Sequence, residues 1–192
     1  MKIKNAYYQT DDVVGAAKDL IGKVLFTSVN GVLKSGVIVE TEAYSYKEKA
    51  CHAYQGKRTN RTQTLFEEGG IAYVYLCYGI HHLFNIVTNE RGIAEAVLIR
   101  ALEPIKGFAQ EELNPKMKIT SGPGKLSKAM GITTALNRES LTGNRIWLED
   151  QGITINRVDD SPRIGVDYAQ EDAQLLWRFT AKDNQWLSGG NK

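Results

Sequence analysis

Two acids interrupt an otherwise apolar run in Gly36-Val-Ile-Val-Glu-Thr-Glu-Ala-Tyr44. On a strand, side chains alternate with period two. Ile38, Glu40, Glu42 and Tyr44 then share one face, and Val37, Val39, Thr41 and Ala43 share the other. The two carboxylates stand about 6.6 Å apart along the strand. One reading is a strand that leaves the core with both acids in water. The other is a general base in a pocket, with the second acid as its structural partner.

A second run, Ile71-Ala-Tyr-Val-Tyr-Leu-Cys-Tyr-Gly79, holds three tyrosines within six positions. Tyr73, Tyr75 and Cys77 share one face; Val74, Leu76 and Tyr78 share the other. Gly79 permits a sharp turn, so Tyr78 is expected at a hairpin tip, where an aromatic is a poor core residue and a good wedge between bases. Tyr75, on the opposite face, can stack on a planar ligand or simply fill a core. Lys57, Arg58 and Arg61 suit phosphate contacts, and equally suit a solvated loop. His81 and His82 are adjacent and point to opposite strand faces. No HxH, HxxxH or CxxC spacing occurs, so no metal site is expected. Ser121-Gly-Pro-Gly-Lys125 is too short for a P-loop, and no GxGxxG opens a helix.

These residues need elements to position them. Thr10-Asp11-Asp12 reads as a helix start, followed by the stripe Val13, Val14, Ala17, Leu20 and Ile21 and by Gly22 as terminator. Lys23–Val29 reads as a strand, Asn30-Gly31 as a hairpin turn and Val32–Tyr44 as a long second strand. Residues 45–70 form an extended polar loop. Runs at 71–78, 82–88 and 95–102 suggest an antiparallel meander. Phe108–Leu113 is predicted as a short helical piece. Ser121-Gly122-Pro123 reads as cap and early proline of a helix ending at Gly131. Ile146–Leu148, Ile153–Arg157 and Trp177–Thr180 are candidate late strands.

The chain has 192 residues, 42% apolar and 24% charged, with a net charge of +2. That fits one globular domain. The expected fold class is α+β: a single mixed domain over 1–192 with a curved antiparallel sheet, surrounding helices and a protruding β-hairpin, frayed over 188–192. No membrane span or secretory signal is visible. Two cysteines, Cys51 and Cys77, make no disulfide scaffold, so a cytoplasmic location is expected. The small net charge leaves any nucleic-acid binding to a local patch.

Seven ordered blocks resemble the alkyladenine (3-methyladenine/3-methylpurine) DNA glycosylase family in its compact bacterial form. They are Asp19-Leu-Ile-Gly-Lys-Val-Leu25, Val39-Glu-Thr-Glu-Ala-Tyr44, His52-Ala53, Tyr73-Val-Tyr-Leu-Cys-Tyr-Gly-Ile80 with Phe84-Asn85, Val97-Leu-Ile-Arg-Ala-Leu-Glu-Pro104, Ser121-Gly-Pro-Gly-Lys-Leu126 and Pro162-Arg-Ile-Gly-Val166. The resemblance implies a monofunctional enzyme that flips a damaged purine (3-methyladenine, 7-methylguanine, hypoxanthine or ethenoadenine) from duplex DNA and hydrolyses its N-glycosidic bond. It implies Glu42 as general base and Arg100 near the water and sugar-phosphate. Tyr44, His52 and Tyr75 would sandwich the base, Asn85 would meet its minor-groove edge, and Tyr78 would fill the vacated stack. Lys57, Arg58 and Arg61 would meet the DNA backbone.

No cofactor and no metal are implied. The expected partner is double-stranded DNA with damaged purines, not a membrane, bound by a monomer associated with the nucleoid. Two rival readings keep the tyrosines without catalysis: a damaged-DNA binding module and a single-stranded RNA-binding domain. Neither gives Glu42 a role. The chain departs from the family in Lys57–Phe66, where Asn60, Thr62 and Leu65 replace proline, asparagine and methionine, and at Gln170, where the family favours glycine.

Overall fold

The Asp12 carboxylate accepts the Gly15 amide at 2.8 Å and starts α1, Val13–Asp19. The cap satisfies one of the free amides of the first turn. This geometry comes from a computed structural model that describes residues 1–189. After Gly22 the chain enters β1, Val24–Val29. Asn30 and Gly31 turn with φ of 52° and 78°, the left-handed pair that a tight hairpin needs. The chain returns as β2, Val32–Ser45.

β3, Ala72–Cys77, β4, His81–Val87, and β5, Glu95–Lys106, form the expected meander. The sheet order is β3-β4-β5-β2-β1-β6, with β6 at Ile146–Glu149. Strand β5 outruns the expected end at 102. Pro104 lies opposite Gly36, next to a register shift, where the missing N–H of proline is tolerated. The helical piece after it is a short 3-10 turn, Gln110–Leu113.

Two late elements differ from expectation. Residues 153–157 form no strand; the chain instead pairs as β7, Val158–Ser161, with β8, Arg178–Ala181. The Val-Asp-Asp-Ser sequence of β7 carries little strand propensity, and only the partner strand selects it. β8 also pairs with β2 at Glu40–Glu42, along the edge that β1 leaves after Val37. The centre of β2 is therefore flanked by β5 and β8.

Helix α2, Pro123–Met130, ends at Gly131 with φ 72°. Its cap is Gly122 at φ 123°, a backbone conformation open to glycine, rather than the expected Ser121, whose buried hydroxyl has no partner. α1 packs on β2, where the Thr41 hydroxyl donates to Ala17 O at 2.7 Å. Leu20, Val39, Phe84, Ile86, Ile99, Leu126 and Met130 belong to one buried cluster, each contributing about 1.5–3 kcal/mol by leaving water. One eight-stranded antiparallel sheet with helices packed on it makes a single α+β domain. Among the described residues no helix is long and apolar enough to cross a membrane. Fraying does not begin at 188: Ser188 is buried and hydrogen-bonded to Glu40. Residues 190–192 lie outside the described residues.

Candidate active site

Two irregularities in the β2–β5 ladder build the centre of the site. Ile38 faces Leu102 and Glu40 faces Ala101, so Val39 has no partner. Thr41 faces Ile99, which leaves Arg100 unpaired on β5. A bulge re-aims the side chain it frees. Ile38 and Val39 both join the main core, so Ile38 does not follow strict alternation with Glu40.

Arg100 reaches both acids. Its Nε donates to Glu40 Oε1 at 2.9 Å and its Nη1 to Glu42 Oε2 at 3.2 Å. Glu40 and Glu42 are both fully buried, so the strand does not carry them into water. Glu42 Oε1 accepts the Ile164 amide at 2.7 Å, and Oε2 also accepts the Tyr44 hydroxyl at 2.8 Å. Glu40 Oε1 further accepts Arg178 Nε at 2.8 Å and Ser188 Oγ at 2.7 Å, and Oε2 accepts the Ser188 amide at 2.7 Å. Burial pushes the Glu40 carboxyl up, but Arg100, Arg178 and the Ser188 hydroxyl together hold it below the usual carboxylate range.

In front of this network lies a cavity of about 440 Å³, large enough for a flat heterocycle. Tyr44, His52, Tyr73, Tyr75, Asn85 and Arg100 line it. Strand pairing sets Asn85 opposite both Tyr73 and Leu98; its Nδ2 donates to Tyr73 O at 3.2 Å. His52 meets Tyr75 edge-on at 4.7 Å between centroids, and its Nδ1 lies 3.1 Å from the Tyr73 hydroxyl. Burial, then the Arg61 charge, lowers the His52 pKa to about 4, so the ring is neutral near pH 7. Burial also pushes the Cys51 thiol up to about 12. Such a thiol is a poor nucleophile.

Tyr78 stands at the tip of the β3–β4 hairpin, 92% exposed, with a φ of 50°. Ile80, at 71%, is exposed beside it. Arg61 sits at the cavity mouth, its guanidinium 4.7 Å from the centre of the Tyr75 ring. Arg58 lies over Phe66 at 3.8 Å, and Lys57 is exposed. Among the described residues none of these three cations is ion-paired with a carboxylate. The residues of the atypical loop are held by Thr62. Its hydroxyl donates to Lys57 O at 2.9 Å and accepts the Thr59 amide at 2.8 Å, an anchoring role that the sequence pattern did not disclose. Gln170 adopts φ 58°, ψ −123°, which explains a preference for glycine there.

Sequence reasoning gave no role to several residues that the fold brings in. Arg163 is buried, forks onto Glu48 at 2.8 and 2.9 Å, and lies over the Tyr44 ring at 4.8 Å. Ile164 supplies the amide to Glu42. Tyr168 lines the cavity rim, with its hydroxyl on Ala50 O at 3.1 Å. Arg178 and Ser188 complete the shell of Glu40. The block Pro162–Val166 signalled the first two as a stretch, without roles; nothing local signalled Ser188.

A family model described as methylpurine-DNA glycosylase (MPG) matches residues 6–185. A protein of Natranaerobius thermophilus is 43% identical over 98% of this chain and 99% of its own length. One of Clostridium perfringens strain 13 is 41% identical over 98% and 99%, and one of Chlamydia felis 42% identical over 92% and 94%. All three carry the provisional name 3-methyladenine DNA glycosylase.

Proposed function

The chain belongs to the methylpurine-DNA glycosylase family, and from that premise we propose that it flips an alkylated or deaminated purine from duplex DNA into the tyrosine-walled cavity and hydrolyses its glycosidic bond with water activated by Glu42. It is a DNA-repair enzyme, a hydrolase of N-glycosyl bonds. One observation carries the choice of base. Ile164, Tyr44 and Arg100, which hold Glu42, all line the cavity. Arg178 and Ser188, which hold Glu40 together with Arg100, do not. Glu42 Oε1 accepts one hydrogen bond, from Ile164, and keeps a lone pair for a water.

The bound purine stacks between Tyr75 and His52 on one side and Tyr44 on the other. It displaces the Arg61 guanidinium from Tyr75 and frees it for a backbone phosphate, beside Lys57 and Arg58. Tyr78 enters the duplex at the vacated position. Flipping costs a few kcal/mol, and stacking at roughly 1–3 kcal/mol per aromatic offsets much of it. A neutral His52 does not repel a cationic alkylpurine, and tyrosine faces attract it. Such a base leaves without acid help. Water held by Glu42 then attacks C1′ as the sugar develops oxocarbenium character; the oxygen bonds to C1′, the C1′–N bond breaks, and Glu42 takes the water's proton. Arg100 lies between the paired acids and aims Glu42 at the water.

The test is release of free base from duplexes that each carry one defined lesion. The expected product is an intact abasic strand, because among the described residues the cavity presents no amine nucleophile. Trapping of a covalent enzyme–DNA adduct by borohydride, or no release from any alkylpurine duplex, would overturn the reading.

A further inference from the structure

Ser188 lies 146 residues after Glu42 in sequence, yet it touches the same network. Its amide donates to Glu40 Oε2 at 2.7 Å, and its hydroxyl donates to Glu40 Oε1 at 2.7 Å. The hydroxyl oxygen also receives Arg100 Nη2 at 3.5 Å. Ser188 thus supplies two of the four bonds on Glu40 and bridges the acid to the arginine. We propose that the C-terminal segment is a positioning strap for the reaction: through Ser188 it fixes Glu40 and Arg100, and through Arg100 it sets the aim of Glu42. The inference rests on Glu42 being the base.

The segment is built to hold. Trp186 is buried in the main core, and its amide donates to Asn184 Oδ1 at 2.9 Å. Asn184 Nδ2 donates to Glu103 Oε2 at 2.7 Å, which fastens the strap to the end of β5. Lys118 donates to Gln185 O from the facing loop. Ser188 is itself buried and lies outside the cavity wall, so it does not contact a base held there.

The charges around Glu40 give the direction of the effect. Arg100 on β5 and Arg178 on β8 face it, and Glu42 faces it across Arg100. Hydrogen bonds to the ionised form favour it. With the hydroxyl gone, Arg100 and Arg178 close on Glu40 Oε1, and Arg100 is also released from the Ser188 oxygen. Arg100 then shifts relative to Glu42 Oε2, and Glu42 loses one of the three contacts that fix its direction.

The experiment is single-turnover excision at saturating enzyme for wild type, Ser188→Ala and Ser188→Thr, with lesion-duplex affinity and thermal melting in parallel. Ser188→Ala should slow the excision step about tenfold, the scale of one hydrogen bond to a charged group. Affinity should stay within twofold. Ser188→Thr keeps the hydroxyl and should restore the wild-type rate. A wild-type rate in Ser188→Ala, or a threonine variant as slow as the alanine one, overturns the strap. A loss that follows melting or affinity also overturns it, because that is packing alone. Glu42→Gln in the same assay separates the two readings: if it excises normally the base assignment fails, and if it is inactive while Ser188→Ala is normal only the strap fails.

Discussion

Glu42→Gln exchanges an acceptor for a donor in a place already crowded with donors. The native carboxylate accepts from the Ile164 amide on one oxygen and from Tyr44 and Arg100 on the other. If the glutamine oxygen faces Tyr44 and Arg100, its amino group meets the Ile164 N–H. If it turns over, the amino group meets the Arg100 guanidinium, while the Tyr44 hydroxyl can rotate to accept. Either orientation leaves one buried donor unmet, which costs about 1–3 kcal/mol. At about 2–4 °C per kcal/mol for a chain this long, melting should fall by roughly 2–12 °C. The fold should survive, and so should affinity for lesion DNA.

The rate is a separate quantity. Loss of the base should cut single-turnover excision by about 10²–10⁴, far more than fractional unfolding could explain at 25 °C. Glu40→Gln is the control. It also leaves one donor unmet, at the Ser188 amide, and it removes the charge shared by Arg100 and Arg178. It should lose at least as much stability as Glu42→Gln and yet retain more activity, because its influence passes through Arg100. Melting and excision measured on both variants decide the matter. Excision by Glu42→Gln within tenfold of wild type, or equal rate losses in the two variants, would refute Glu42 as the base.

Tyr78→Ser should weaken lesion-duplex binding by about 1–3 kcal/mol with melting unchanged, since the ring is 92% exposed; binding equal to wild type would remove its role as a wedge. Asn85→Ser should raise the rate on mismatched guanine relative to hypoxanthine, by opening the space where the guanine amino group would clash; an unchanged ratio makes Asn85 a strand residue only. His52 takes a proton near pH 6.5 when unfolded and near 4 when folded. The unfolded chain therefore binds more protons between those values. Stability from this residue is complete above pH 6.5 and is lost as pH falls to 4, by up to about 3 kcal/mol. Denaturant midpoints of wild type and His52→Phe at pH 7 and 4.5 check it, and parallel losses would refute it. Gln170→Gly should raise the melting temperature by about 2–4 °C, because relief of the φ 58° backbone outweighs the exposed bond to Lys49; a fall in melting would show that the side chain matters more.

What the sequence determined was local. A helix start at Thr10–Asp12, the Asn30-Gly31 turn, the meander and the exposed tip at Tyr78 follow from period, turn residues and steric preference, all of which act within a few positions; that Asp12 is the cap, rather than an acid of the first turn, was decided by the fold. Resemblance to a family added the candidate roles of Glu42, Tyr44, His52, Tyr75 and Asn85. Tertiary structure decided what depended on distant partners. Alternation placed Glu40 and Glu42 on one face, but not in a buried network; that required β8 to take the edge that β1 vacates and a bulge to turn Arg100 between the acids. β7 became a strand only because β8 lay beside it, while residues 153–157, more apolar, found no partner. Ser188 and Arg178 have no signature of their own, since a hydrogen bond between residues far apart in sequence leaves no period for a sequence to display. The cavity separates Glu40 from Glu42, because the partners of Glu42 all line it while Arg178 and Ser188 do not, and a cavity is a property of the folded chain.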